Sequence, residues 1–203
     1  ERSRGLGDVY KRQLMAKSST LVVIPEHLSA FPASILKILE EHKVTFLFWV
    51  PTIMVNIANM DLLSSIQLPA LKTVWFAGEV FPTKQFNYWR KMLPQTTFAN
   101  LYGPIEITLD CTCFIVNREI KDEESIPIGF PCRNTDILIL DADNKLVAEA
   151  GKEGELCVRG TSLAMGYYNN PEKTASAFVQ NPLNHAYPET IYRTGDVVVI
   201  NER

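Results

Sequence analysis

Between Val44 and Leu101, short apolar runs alternate with amphipathic stretches, and proline or glycine stops each run. The run 44–50 ends at Pro51, the run 71–77 ends at Gly78, and the run 97–101 enters Tyr102-Gly103-Pro104. Runs this short, bounded by turn residues, predict strands. Between them, Ile53, Met54, Ile57 and Ala58, then Phe86, Trp89 and Met92, recur at a helical period. Strand then helix at this spacing predicts parallel β-α-β units. Upstream, the continuous apolar run 21–24, stopped by Pro25, predicts a fully buried strand. Pro32 suits a first helical turn. The helix it opens carries Ile35, Leu36, Ile38 and Leu39 on its apolar side.

The pattern changes after about Pro127. Residues 136–140, a polar turn 141–144 and residues 145–147 predict a hairpin. Alternation over 154–160 predicts another strand, 171–178 a short helix, and 191–193 and 197–200 two closing strands. The expected fold class is α/β, a parallel β-α-β sheet segment followed by a small antiparallel β-barrel-like subdomain. The expected organisation is an α/β subdomain over 14–126 and a β-rich barrel subdomain over 127–203, each incomplete. Residues 1–13 stand apart, basic and without a hydrophobic period. Their end, Asp8-Val9-Tyr10-Lys11-Arg12-Gln13, matches an in-frame translation of GATGTGTATAAGAGACAG, a transposon mosaic end, so they are expected to be a sequencing-adaptor artefact. Both ends read as cut, and the last strand is expected to lack its partner, leaving an exposed edge prone to self-association.

The chain has 203 residues, 46% of them hydrophobic, which is enough for a packed core and excludes a disordered chain. Its net charge of −3, with no long run of one sign, argues against a nucleic-acid partner. No apolar run reaches the roughly 20 residues that cross a bilayer, so a cytoplasmic protein is expected, with no membrane partner. Cys111, Cys113, Cys132 and Cys157 form no C-x-x-C pair and read as small buried hydrophobes. His27, His42 and His185 are scattered and predict no structural zinc site.

Ligands of open α/β sheets bind beyond the carboxyl ends of the strands. Gly78-Glu79 and Tyr102-Gly103-Pro104-Ile105-Glu106 fall at such ends. The second turn offers an aromatic face for stacking on a purine and a hard carboxylate oxygen suited to Mg²⁺. A third turn, Tyr192-Arg193-Thr194-Gly195-Asp196, sets a carboxylate where it can accept from two ribose hydroxyls. On spacing alone, such turns read first as ordinary solvated surface turns. The two commonest glycine-rich phosphate loops, G-x-x-x-x-G-K-S/T and G-x-G-x-x-G, are absent from the sequence.

Four segments together carry a resemblance. The stretch 101–108, Leu-Tyr-Gly-Pro-Ile-Glu-Ile-Thr, resembles the Y-G-P-T-E motif of the adenylate-forming (AMP-binding) superfamily. Residues 154–160 with 166–174 resemble its G-E-L…R-G-Y…P-E-x-T motif, and residues 192–196 its Y-R-T-G-D motif. Phe76-Ala77-Gly78-Glu79 resembles the F-x-G-E turn of D-alanine–carrier protein ligases. The resemblance covers 14–203 with the motifs in the family's order. It is nearest to amino-acid adenylation domains and D-alanine ligases, and corresponds to a fragment of the large N-terminal domain.

The resemblance implies ATP and Mg²⁺ as cofactors and a ligase that converts an amino acid or small carboxylic acid to an acyl-adenylate. The acceptor it implies is a carrier-protein thiol; the alternatives are CoA, as in an acyl-CoA synthetase, or a non-catalytic nucleotide-binding relative. By the same resemblance Tyr102 stacks on adenine, with Gly103 in its turn. Glu106 ligates Mg²⁺ as the catalytic carboxylate, and Asp196 holds the ribose. Gly78 and Glu79 shape the floor between adenine and acyl pockets, while Leu101, Leu109 and Asp110 line the pocket for the acid. One departure stands out. Ile105 occupies the place of the family's threonine and cannot hydrogen-bond the adenylate phosphate. The family's phosphate loop, its amino-gripping Asp and its catalytic lysine are expected outside 14–203, so the chain alone is expected to be inactive in adenylation.

Overall fold

Prolines set where the helices begin. In the computed structural model, which describes residues 18–28 and 30–202, Pro32 and Pro51 take first-turn positions of α1 (Pro32–Glu41) and α2 (Pro51–Asn59). Their fixed φ suits the helix, and the N–H they lack has no intrahelical acceptor there. The basic stretch 1–13 lies outside the described residues.

The chain divides into two units. The first comprises the described residues up to Leu101 together with Phe114–Gly129. Its strands are β1 (Phe46–Trp49), β2 (Thr73–Phe76), β3 (Thr97–Tyr102) and β4 (Thr112–Ile115), in that spatial order. The pairs β1–β2 and β2–β3 are parallel, with Phe46 opposite Thr73 and Thr73 opposite Thr97. Parallel neighbours need crossover helices. These are α2 and α3 (Thr83–Met92), which bury Met54, Ile57, Phe86 and Trp89.

An aromatic cluster fills this core. Phe86 lies edge-on to Phe98 at 5.5 Å and to Phe81 at 5.5 Å, and Phe81 lies edge-on to Phe76 at 5.1 Å. Such edge-to-face contacts match the ring quadrupoles. The buried Trp89 indole N–H donates to the Met54 carbonyl at 2.9 Å, which ties α3 to α2 and leaves no orphaned donor.

The second unit comprises Tyr102–Cys113 and the described residues from Phe130 on. Here β5 (Phe130–Pro131) pairs antiparallel with Thr112 and Cys113. A curled, half-barrel antiparallel sheet follows, made of β6 (Thr135–Leu140), β7 (Glu153–Gly160), β8 (Phe178–Gln180) and β9 (Thr190–Val199) in the order β6-β7-β9-β8. Helix α4 (Pro171–Ala177) opens with Pro171, and the Asn170 side chain caps it by accepting from Lys173 N. Leu140, Cys157 and Ile191 form the buried centre of this sheet. All four cysteines are free, with Cys111 and Cys157 buried.

Three expectations change. Residues 21–24 form no strand, and Val23 is 77% exposed. An apolar run does not specify a ladder partner, and only Ile24 packs, partly buried, against the first core. The two closing strands are one, since β9 runs unbroken through Gly195, whose φ of +77° lets the chain step past an irregularity. β8 pairs with that strand only over Thr190–Tyr192, whereas Val197–Val199 pair with β7 on one side, and Val197 and Val199 stay exposed. The second arm of the hairpin also shrinks to a single bridge, Leu140 to Leu146. The Asp141 carboxylate holds its turn by accepting from Asp143 N at 2.9 Å and Lys145 N at 2.8 Å.

Truncating the centre of the aromatic cluster should be costly. Phe86→Ala is expected to lose about 3–5 kcal/mol, read as a lower urea midpoint at an unchanged slope. Val80→Ala, at a side chain 90% exposed, should stay within about 0.5 kcal/mol of the parent.

Candidate active site

Backbone contact shapes the turn after β3. A Cβ on Gly103 would fall 2.2 Å from the Leu109 carbonyl oxygen, 2.6 Å from Asp110 Cα and 2.8 Å from Cys111 N. Those atoms are main chain and cannot swing aside, so only glycine lets the loop fold back. Cys111 N donates to the Tyr102 carbonyl at 2.7 Å and closes it. Pro104, extended, feeds a 3₁₀ turn over Ile105–Ile107. Ile107, 1% exposed, anchors that turn, while Ile105 is left 70% exposed. Thr108 follows at φ +77°, rare for a β-branched residue, with its hydroxyl donating to the Ser162 carbonyl at 2.7 Å. That bond offsets part of the roughly 1–3 kcal/mol such a conformation costs.

Glu106 points into a set of phenols. Its Oε1 accepts from the Tyr167 hydroxyl at 2.6 Å, and its carbonyl accepts from Ala164 N at 2.7 Å. The Tyr167 and Tyr192 hydroxyls are 3.5 Å apart, and Phe178 packs against both rings at 5.9 and 5.0 Å. The Lys173 ammonium lies 4.1 Å from the Tyr167 ring centroid, a cation–π distance. Burial pushes the Glu106 pKa up, but hydrogen bonds from Tyr167, its own backbone and Tyr192, with the Lys173 charge, outweigh it and leave it below the usual value. Burial, then Tyr167 and the Glu106 charge, push Tyr192 well above the usual phenol range. The arrangement therefore holds an anionic carboxylate beside a Tyr192 phenol that stays protonated at neutral pH.

The second contact joins residues 94 apart in sequence, as the Tyr102 hydroxyl donates to Asp196 Oδ2. Burial, then this acceptor, raise the Tyr102 pKa well above its usual value. Tyr102 is half-buried and Asp196 exposed, so an aromatic ring stands beside an open carboxylate.

The second unit thus gathers Tyr102, Gly103, Ile105, Glu106, Leu109, Asp110 and Asp196. Gly78, Glu79 and Leu101 belong to the first unit. Gly78 takes φ +90°, and Leu101 is buried at the end of β3. Glu79 accepts from Thr52 N at 3.0 Å and from the Thr52 hydroxyl, which satisfies an orphan donor in the first turn of α2. Tyr167 and Tyr192 carry no role in the sequence reading. Their link to Glu106 spans 61 residues in the first case, and only the weak alternation Tyr192, Thr194, Asp196 hints at a shared face.

Among the described residues no group of three or more His, Cys, Asp or Glu is placed to hold a metal ion. A Mg²⁺ ion that keeps its waters and bridges to phosphates needs only one or two carboxylates. The ionised Glu106 fits that donor chemistry.

The two buried thiols of the second unit should be inert. Burial, then the neighbouring Cys132, push the Cys111 thiol from 9.0 up to about 12, and burial with Glu155 takes Cys157 to about 11. Both are expected to resist a thiol-disulfide reagent at pH 8 until the chain is unfolded. Unfolded thiols ionise first, so this contribution to stability is whole below about pH 9 and is lost as pH rises towards the folded values. A urea midpoint that falls between pH 8 and pH 10 is the expected result.

Known proteins resemble this chain in both sequence and fold. Zwittermicin A synthase ZmaJ of Bacillus cereus is 33% identical over 183 residues, covering 88% of this chain and 34% of that protein. The crystal structure of CmiS6 superposes with a TM-score of 0.84 at 28% identity, over 93% of this chain and 45% of that one. PA1221, an NRPS protein containing adenylation and PCP domains, superposes with a TM-score of 0.75 at 26% identity, over 84% of this chain and 34% of that one. The chain spans less than half the length of each of these three relatives. The AMP-binding enzyme family matches residues 13–168, which include the glycine-bound turn and the Glu106–Tyr167 contact. With that match over most of its length, the chain belongs to the AMP-binding enzyme family.

Proposed function

We propose that this chain is the nucleotide-handling part of a cytoplasmic ligase that activates an amino acid with ATP and passes it to a carrier-protein thiol. The observation that carries the reading is the Tyr102–Asp196 contact, an aromatic face held beside an open carboxylate. That pair suits an adenosine, with stacking on the ring and hydrogen bonding to ribose hydroxyls. Glu106, ionised and oriented by Tyr167, is the carboxylate for Mg²⁺, which supplies neutralisation of the triphosphate when bound. Leu109 and Asp110 face the acid in this reading. The chemistry is attack of the acid's carboxylate on the α-phosphate, which gives acyl-adenylate and pyrophosphate. A thiol then displaces AMP to give a thioester.

The amino-acid and carrier-protein parts draw support from the F-x-G-E turn and from PA1221, an NRPS protein containing adenylation and PCP domains. A small-acid acyl-CoA synthetase remains the alternative within this chemistry. Ile105 favours a second reading, a nucleotide-binding relative that has lost catalysis, because an exposed isoleucine offers nothing to an adenylate phosphate.

Pyrophosphate exchange by the full-length protein, across a panel of amino acids and small acids, tests these readings. Exchange that depends on one amino acid, and falls at least about 100-fold in Glu106→Gln, is the expected result. Ile105→Thr should raise the rate by up to about 100-fold, the worth of one regained hydrogen bond of about 1–3 kcal/mol. Absence of exchange in both parent and Ile105→Thr would select the non-catalytic reading.

A further inference from the structure

Strands β7 and β9 lose register beside Asp196. Cys157 stands opposite Arg193 and Glu155 opposite Val197, so two residue steps on β7 are matched by four on β9. The ladder therefore throws out Thr194, Gly195 and Asp196, and Gly195 turns at φ +77°. A bulge gives up ladder hydrogen bonds, and side chains replace them here. Glu155 Oε1 accepts from Gly195 N at 3.1 Å, while its Oε2 accepts from Arg193 Nε at 2.9 Å and Nη2 at 2.5 Å. Thr194 Oγ1 donates to the Leu156 carbonyl at 2.7 Å and accepts from Asp196 N at 3.0 Å. Arg193 Nη1 donates to Asn144 Oδ1 at 2.9 Å, in the turn that follows β6.

One carboxylate thus grips both the residue that enters the bulge and the main chain at its apex. The Arg193 and Glu155 side chains are 29% and 22% exposed, and a cleft of about 280 Å³ lined by Leu140, Asp141, Glu155, Arg193 and Val197 opens beside them. More than two thirds of each side chain is shielded from water, and the carboxylate also satisfies the Gly195 N–H, so the pair holds the bulge locally. Its effect falls on the shape of the bulge, whose last residue is Asp196.

We propose that Glu155 is a positioning residue for nucleotide recognition: by clamping Arg193 and the Gly195 N–H it sets the bulge so that the Asp196 carboxylate meets the ribose hydroxyls. This rests on the reading of Asp196 given above. Specificity for the ribose, rather than affinity for the base or phosphate, is what Glu155 controls. Arg193 and Asn144 extend the same support into the neighbouring turn.

Calorimetric binding of AMP and of 2′,3′-dideoxy-AMP to the full-length protein tests this. The parent should bind AMP about tenfold or more tighter than the dideoxy analogue, as charge-assisted bonds to two hydroxyls require. Asp196→Asn should bring that ratio towards one. Glu155→Ala should do the same by weakening AMP alone, with dideoxy-AMP affinity nearly unchanged. Glu155→Gln keeps one acceptor oxygen and should give an intermediate ratio, and it carries the test if the alanine variant does not fold. A parent-like ratio in the Glu155 variants, beside a collapsed ratio in Asp196→Asn, overturns the proposal. Equal loss of both ligands in Glu155→Ala also overturns it, since that marks a merely structural role. A ratio untouched in Asp196→Asn overturns the ribose reading itself, and the role of Glu155 with it.

Discussion

The candidate site hangs on one steric fact, the contact of the Gly103 main chain with the Leu109 carbonyl and the atoms after it. A side chain there would stand 2.2 Å from that oxygen. Because it is absent, the loop closes on itself and Cys111 N reaches the Tyr102 carbonyl. Closure fixes the direction in which Tyr102 leaves β3 and the position of the 3₁₀ turn that bears Glu106. The strained Thr108 is the complementary cost, met by its bond to the Ser162 carbonyl. Tyr102 to Asp196 and Tyr167 to Glu106, two long-range contacts of the site, begin on this loop.

Electrostatics then decide what the loop presents. Two opposing effects act on Glu106, and the hydrogen bonds win over burial, so it stays a carboxylate. Tyr192 beside it goes the other way and remains a phenol, able to donate but not to add negative charge. An anionic acceptor beside a protonated phenol suits a cation better than a proton transfer at neutral pH. In the proposed reading this favours Mg²⁺ over general acid–base work for Glu106.

What the sequence made legible was local. Pro32, Pro51 and Pro171 mark helix starts because the constraint lies in the residue itself. The β-α-β reading follows from periods confined to short windows, and the parallel ladder over Phe46–Trp49 and Thr73–Phe76 matches it. Misreadings occur where a partner decides. Residues 21–24 are as apolar as β1, but a ladder is a property of two segments, and one segment cannot report it. Gly195-Asp196 reads as a turn by composition, yet β7 holds both sides of it in one strand, and the irregularity becomes a bulge. Tyr167 sits inside a recognisable motif, and its role emerges only from a contact across 61 residues.

Position 105 separates stability from chemistry. The turn is held by the buried Ile107, by Gly103 and by the Ala164 N–H on the Glu106 carbonyl, none of which involves the Ile105 side chain. At 70% exposure, that side chain has little packing to lose, so threonine and isoleucine are close to interchangeable for folding. They are not interchangeable towards a phosphate, since only the hydroxyl can donate. Selection for a folded domain therefore exerts almost no hold on this residue, whereas selection for adenylation would. An isoleucine here leaves every other contact of the site in place, including the Tyr102–Asp196 pair that recognises nucleoside in the proposed reading. In the proposed reading nucleotide binding and turnover are therefore separable, since the side chain at position 105 enters only the second.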